Sequence, residues 1–213
     1  PKEGKTFISV NLATILAQTD KKVLLMGLDI RNPKISEYIT TPAKGITNYI
    51  SSKEKVVLKD FIYPSGIAAN FDVLPAGIIP PNPSELIMGE TMKDMIATLK
   101  KEYDYIILDT PPVGLVSDAL ELAQYSDVTL YIVRQNFTKK EMLTLLNNRT
   151  KRGELNNISI VFNGYENKAK YGTGYGYGYG YGYGYGYGYS NGYHEDDEPR
   201  GFLAKLKYKL FKK

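Results

Sequence analysis

Apolar positions along residues 1–165 follow two rhythms. Between Gly4 and Asp20 they fall at Ile8, Val10, Leu12, Ala13, Ile15 and Leu16, close to the spacing of a helical face, and predict a helix. Elsewhere they come as short unbroken runs. Residues 23–28 end on Asp29, residues 105–108 on Asp109 and residues 158–162 on Asn163; residues 128–133 form a fourth run and 71–75 a weaker fifth. The runs over 23–28, 105–109 and 128–133 read as strands buried on both faces of a parallel sheet, and 71–75 and 158–163 as further strands. Further helices are predicted over residues 82–101, 117–125 and 139–152. The first of these has a capping-box-like start, with Asn82 as N-cap, Pro83 next and Glu85 at the third helical position. Strands alternating with helices predict an α/β domain with a doubly wound, mostly parallel sheet. Ligands of such sheets sit beyond the carboxyl ends of the strands, where Lys5, Asp29, Asp109 and Asn163 would gather.

The pattern breaks near residue 168. Tyrosine then alternates with glycine, at Tyr171, Tyr175, Tyr177, Tyr179, Tyr181, Tyr183, Tyr185, Tyr187, Tyr189 and Tyr193. Glycine is the costliest residue to order and the repeat has no aliphatic core former, so residues 168–198 are expected to be a disordered tail. The tail closes on four acidic residues, 195–198, beside His194, which reads as solvated. In residues 199–213, Phe202, Leu203, Leu206 and Leu210 would share one face of a helix flanked by lysines. That suits an anionic membrane surface, and equally a solvated basic end. The alternation over residues 206–210 also permits a strand. The expected organisation is a domain over 1–167, a tail over 168–198 and a basic amphipathic segment over 199–213.

Composition narrows the chemistry. The chain has no Cys and one His, which sets aside disulfides, thiolate metal sites and His-based triads. A net charge of +4 does not call for nucleic acid. No apolar run approaches the length of a membrane span.

Gly4-Lys5-Thr6, set directly before a helix, reads as the second half of a P-loop whose first glycine would fall two residues before Pro1. Gly4 would let the backbone approach phosphate oxygens, and the free N–H groups and dipole of the helix start favour the anion. Lys5 would reach the outer phosphates and the Thr6 hydroxyl would ligate Mg²⁺. Asp109, at the tip of an apolar strand, has the form of a Walker B acid that holds Mg²⁺ directly or through water; a plain helix cap is the bland alternative. Asp29 is a metal ligand or a base for an attacking hydroxyl, with Arg31 neutralising phosphate; the two could equally form a surface pair. The Asn163 amide could meet an adenine edge, or simply start an Asn-Gly turn with Gly164. The tyrosine tract is either a set of phenol acceptors needing a base such as Asp29 or a low-complexity spacer.

Four stretches in this order resemble the cytoplasmic kinase domain of the bacterial tyrosine kinases of capsule and exopolysaccharide synthesis. They are Gly-Lys-Thr-x₄-Asn-Leu-Ala over residues 4–13 and Val-Leu-Leu-x₃-Asp-x-Arg over 23–31, then Leu-Pro-x-Gly-x₂-Pro-Pro-Asn-Pro-Ser-Glu-Leu over 74–86 and Leu-Asp-Thr-Pro-Pro over 108–112. The resemblance implies a P-loop NTPase fold with a deviant, Min/Par-like Walker A and the cofactors ATP and Mg²⁺. It also implies transfer of the γ-phosphoryl to tail tyrosines of a neighbouring subunit. Lys5 and Thr6 match Walker A, Asp29 the second acid of Walker A′ and Asp109 Walker B, while the tail tyrosines match the acceptor cluster as a group. Implied partners are a homo-oligomeric ring, a membrane-spanning polysaccharide chain-length regulator in the same or a partner chain, and a tyrosine phosphatase. The implied location is the cytoplasmic face of the bacterial inner membrane. The chain departs from the pattern in two ways: Gly27 stands where the family carries the first A′ acid, and the strand and residues that open the P-loop are absent. The rival readings are a membrane-positioned P-loop ATPase or switch, and a nucleotide-free scaffold.

Overall fold

Residues 23–27 carry no polar side chain, so burial is their stable environment. In the computed structural model, which describes residues 2–166 apart from 53, 115–117 and 156, they form β1 (Val23–Gly27), buried throughout. It pairs in parallel with β3 (Phe71–Leu74) on one side and β4 (Tyr105–Asp109) on the other. A two-residue strand, β2 (Tyr63–Pro64), closes the outer edge of β3 antiparallel. Pro64 lacks a donor and suits that edge position. The parallel, doubly wound architecture is therefore as predicted, with β2 as an addition.

Side chains alternate across β1. Leu24 and Met26 enter a core with Leu74, Ile87, Met92, Ile96 and Leu99. Val23 and Leu25 point the other way, into a core with Val10, Ala13, Ala17, Phe71 and Val73. The second layer is covered by α1 (Lys5–Ala17), which ends three residues before Asp20. There the Asn70 amide donates to the carbonyls of Ala17 and Lys21, at 2.8 and 2.6 Å, and closes the turn into β1.

The predicted helix over residues 82–101 is two helices, α3 (Pro83–Met88) and α4 (Glu90–Leu99). Gly89 between them is extended, with ψ 153°, and breaks the helical ladder. The expected capping box is replaced by a side-chain pair, in which the Asn82 amide donates to the Glu85 carboxylate. The other helices are α2 (Ile46–Ile50), α5 (Asp118–Ala123) and α6 (Lys140–Lys151). The readings for residues 168–213 lie outside the described residues, as does Ser117 at the predicted start of the fifth helix.

Strands β5 (Thr129–Arg134) and β6 (Ile158–Asn163) form a separate parallel pair. β4 and β5 were both expected to be buried, yet Tyr105 is 44% and Leu130 41% exposed, and within the two strands only Asp109 and Val133 are buried. The reason is topological, because β4 and β5 do not hydrogen-bond to each other. Between them lies a cavity of about 700 Å³, lined on its walls by Ile106, Leu108, Leu130 and Ile132.

Leu25, fully buried in the central strand, tests this core. Leu25→Ala is expected to lower unfolding free energy by about 2–5 kcal/mol, read from the urea midpoint, with secondary structure retained at zero urea.

Candidate functional site

Three strand ends converge on residues 2–6. Asn163, closing β6, donates its side-chain amide to the Glu3 carbonyl at 2.8 Å. Arg134, closing β5, donates to the Lys2 carbonyl at 2.9 Å. Asp109, closing β4, accepts the Thr6 hydroxyl at 2.8 Å and the Ser9 hydroxyl at 3.3 Å. Gly4 enters α1 with φ +94°, a conformation that disfavours any side chain. Contact reinforces this, since a Cβ on Gly4 would stand 2.4 Å from Asn163 Nδ2. The Asn163 amide thus supports the loop, while its Oδ1 accepts the N–H of the next residue, Gly164, at 2.8 Å.

The two acids are brought together by backbone. The N–H groups of Leu28 and Asp29 both donate to the Asp109 carbonyl, at 2.8 and 2.9 Å. Asp29 Oδ1 accepts the Asn32 N–H at 3.1 Å, which closes a short turn. Burial pushes the Asp29 carboxyl above its ordinary value, against that N–H and the nearby Lys5 charge. Asp109 is 3% exposed, and burial pushes it up to about 6 despite the Thr6 and Ser9 hydrogen bonds. Lys5 Nζ pairs with Glu3 at 3.0 Å.

This is an all-oxygen donor set of one hydroxyl and two carboxylates, the hard ligands that Mg²⁺ prefers. Among the described residues no three His, Cys, Asp or Glu side chains form a metal cage.

Arg31 is engaged elsewhere. Its Nε donates to Asp118 at 2.7 Å, and a terminal nitrogen reaches Ser84 at 2.8 Å and Asp118 at 3.3 Å. Neither Ser9 nor Asp118 was singled out from sequence. Ser9 lies three residues after Thr6, on the same helical face, and that spacing was its available signal. Asp118 opens α5 as an ordinary first-turn acid, so nothing local distinguishes it. The tail tyrosines lie outside the described residues.

Gly27 is closely packed. A Cβ there would lie 3.0 Å from the Ala76 nitrogen and 3.2 Å from Ile35 Cδ1. A cavity of about 290 Å³ opens beside Asp29 and Asp109, with Ile35 and Ala76 in its wall.

A positive-φ glycine, a following Lys-Thr at a helix start and a strand-end acid paired with that threonine define a P-loop NTPase-type α/β domain. Comparison with known proteins agrees and narrows the class. A family model described as an AAA domain matches residues 3–158. The tyrosine-protein kinase wzc of Salmonella typhimurium is 36% identical over 179 residues, covering 80% of this chain and 24% of that protein. The tyrosine-protein kinase CpsD of Streptococcus agalactiae is 34% identical over 173 residues, covering 80% and 73%. The solved kinase domain of the Escherichia coli tyrosine kinase ETK superposes with a TM-score of 0.72 at 32% identity, covering 83% of this chain and 69% of that one. The chain belongs to the bacterial tyrosine kinase family. It spans 24% of the length of the wzc relative.

Because the family's first A′ acid is Gly27 here, restoring it is a test of the packing. Gly27→Asp is expected to destabilise the domain by about 1–3 kcal/mol through overpacking against Ala76 and Ile35. MgATP affinity, measured by titration calorimetry, is not expected to rise.

Proposed function

We propose that this domain binds MgATP and transfers the γ-phosphoryl group to tyrosines in the tail of a neighbouring copy. The observation that carries the reading is the meeting of Thr6, Asp109 and Asp29 beside Lys5. Thr6, Asp109 and Asp29 would hold Mg²⁺, which supplies charge neutralisation on the phosphates. The N–H groups at the start of α1 and the Lys5 ammonium bind and orient the β- and γ-phosphates. Asp29, its carboxylate proton affinity raised by burial, takes the proton of the incoming phenol. The balance is simple: the phenol oxygen bonds to phosphorus, the bond to the ADP oxygen breaks and the phenolic proton passes to Asp29. Arg31 is committed to Asp118 and Ser84, and Asn163 to the Glu3 carbonyl, so both support the loops around the nucleotide rather than touch it.

The tyrosines on a glycine-rich chain supply a high local concentration of acceptor once copies associate, which favours a ring of kinase domains. By likeness to the relatives, the setting is capsule or exopolysaccharide synthesis at the cytoplasmic face of the inner membrane. The partners there are a membrane-spanning chain-length regulator and a tyrosine phosphatase, with the basic end against the lipid surface. Among the described residues no helix is long and apolar enough to cross a membrane.

The cavity between β4 and β5 belongs to the same reading. Both flanking strands run parallel with their carboxyl ends at residues 2–6, and both carry apolar side chains into the cavity. A strand leading into the P-loop from residues before Pro1 would pair with both edges and join the two sheets. Extending the chain through that strand and the first P-loop glycine is expected to slow amide hydrogen exchange at least tenfold in residues 105–109 and 129–134, by mass spectrometry. Unchanged exchange there in a folded extended chain excludes the strand.

The extended chain also tests activity. Incubated with MgATP it should acquire phosphotyrosine in the tail, located by mass spectrometry, and Lys5→Met should reduce the yield about 10²-fold or more. Free phosphate released with a bare tail would instead establish an ATPase or switch.

A further inference from the structure

Three loops leave the carboxyl edge of the four-stranded sheet, after β1, β3 and β4, and one guanidinium joins them. Arg31 follows β1 and lies two residues beyond Asp29. Ser84 is the second residue of α3, after β3, and Asp118 opens α5, after β4. Arg31 donates to both carboxylate oxygens of Asp118, while Ser84 donates to Asp118 at 2.8 Å and accepts from Arg31 at 2.8 Å. The three polar groups therefore form a closed ring of hydrogen bonds. Asp118 is 1% exposed while the Arg31 side chain is 41% exposed, so the acid depends on Arg31 and Ser84 for its hydrogen bonds and the guanidinium bridges it to solvent. Only Ile30 separates Arg31 from Asp29, and Asp29 is itself pinned by the Asn32 N–H on the far side of Arg31. The guanidinium that meets Asp118 and Ser84 thus belongs to the same short turn as Asp29, whose N–H is bonded to the Asp109 carbonyl.

We propose that Asp118 and Ser84 are positioning residues for the phosphoryl-transfer site. Through Arg31 they fix the direction of Asp29, and they make α3 and its proline-rich lead-in a mechanical part of the site. The inference rests on the nucleotide-site reading of Thr6, Asp109 and Asp29. It gives the Ser84 hydroxyl of the Pro-Asn-Pro-Ser-Glu-Leu stretch a task that does not require it to touch nucleotide. A ring built only for stability would show in melting temperature; a positioning ring shows in the rate of the bound complex.

The test uses the extended chain with its P-loop complete, comparing Ser84→Ala, Ser84→Thr and Asp118→Asn with the parent. MgATP affinity is read by titration, turnover at saturating ATP by phosphotyrosine formation or phosphate release, and folding by thermal melting. Expected for Ser84→Ala is a fall in saturating turnover of about tenfold or more, with affinity changed less than threefold, and recovery in Ser84→Thr, which keeps the hydroxyl. Asp118→Asn should lose turnover at least as strongly. Should Asp118→Asn fail to fold, Ser84→Ala alone decides. The proposal is overturned by turnover within twofold of the parent in folded Ser84→Ala. It is overturned equally by affinity and turnover falling in parallel, or by Ser84→Thr behaving like Ser84→Ala. A parent that binds MgATP but leaves tyrosine bare overturns the kinase reading alone, because phosphate release still reads the positioning effect. A parent that binds no MgATP overturns both.

Discussion

Asp109 is gripped from two directions. Its carbonyl accepts the N–H groups of Leu28 and Asp29, which locks the end of β1 onto the end of β4. Its carboxylate accepts the Thr6 and Ser9 hydroxyls, which lock the first turn of α1 onto the same point. Helix, central strand and second acid are thus referred to one residue. A nearly buried carboxylate resists ionisation, and here burial pushes it up to about 6. A bound divalent ion reverses that logic by adding the largest local charge in the site. The Thr6 and Ser9 hydroxyls are the donors that hold this carboxylate in place.

Much of this was legible in the sequence, for physical reasons. β1 and α1 are placed by burial: an unbroken apolar run has one stable environment, and a helix that follows Gly-Lys-Thr has its start fixed by the glycine. β6 could be bounded at Asn163 because the amide and the following glycine end the run together. The break at Gly89 was less visible, since a lone glycine inside a helical pattern is often tolerated, and only its extended backbone in the structure makes it a boundary. β5 was read as buried because its composition suits a central strand. That composition is a fair description of what it faces, an apolar cavity with an unpaired strand edge on the far side.

The site was legible where chemistry and position coincide along the chain, and illegible where they depend on a distant partner. Lys5, Thr6, Asp29 and Asp109 each stand at a strand or helix end, where a polar residue after an apolar run invites a functional question. Asp118 does not. An acid in the first turn of a helix is ordinary, favoured by the helix dipole alone, and only the three-dimensional structure shows its partner to be Arg31, 87 positions earlier. Arg31 was read as neutralising phosphate or pairing with Asp29, and its partner Asp118 could not be read because it comes from a loop distant in sequence.

Gly27 shows how one local departure is absorbed by its surroundings. A side chain at this position would reach the backbone at Ala76 and the tip of Ile35, so the loop after β3 sits closer to β1 than a larger residue would permit. The acid is therefore not merely missing; the space it would need is taken. What remains is a pair of carboxylates, Asp29 and Asp109, balanced by the Lys5 ammonium and by whatever cation the nucleotide brings. Removing a third carboxylate also removes its repulsion on the other two, since like charges crowded into a buried site raise one another's proton affinity. Two carboxylates and a hydroxyl are sufficient ligands for an ion that takes the rest of its shell from phosphate and water. In the proposed mechanism Asp29 would serve both the metal and the incoming proton, and the rigidity of its turn matters the more for it.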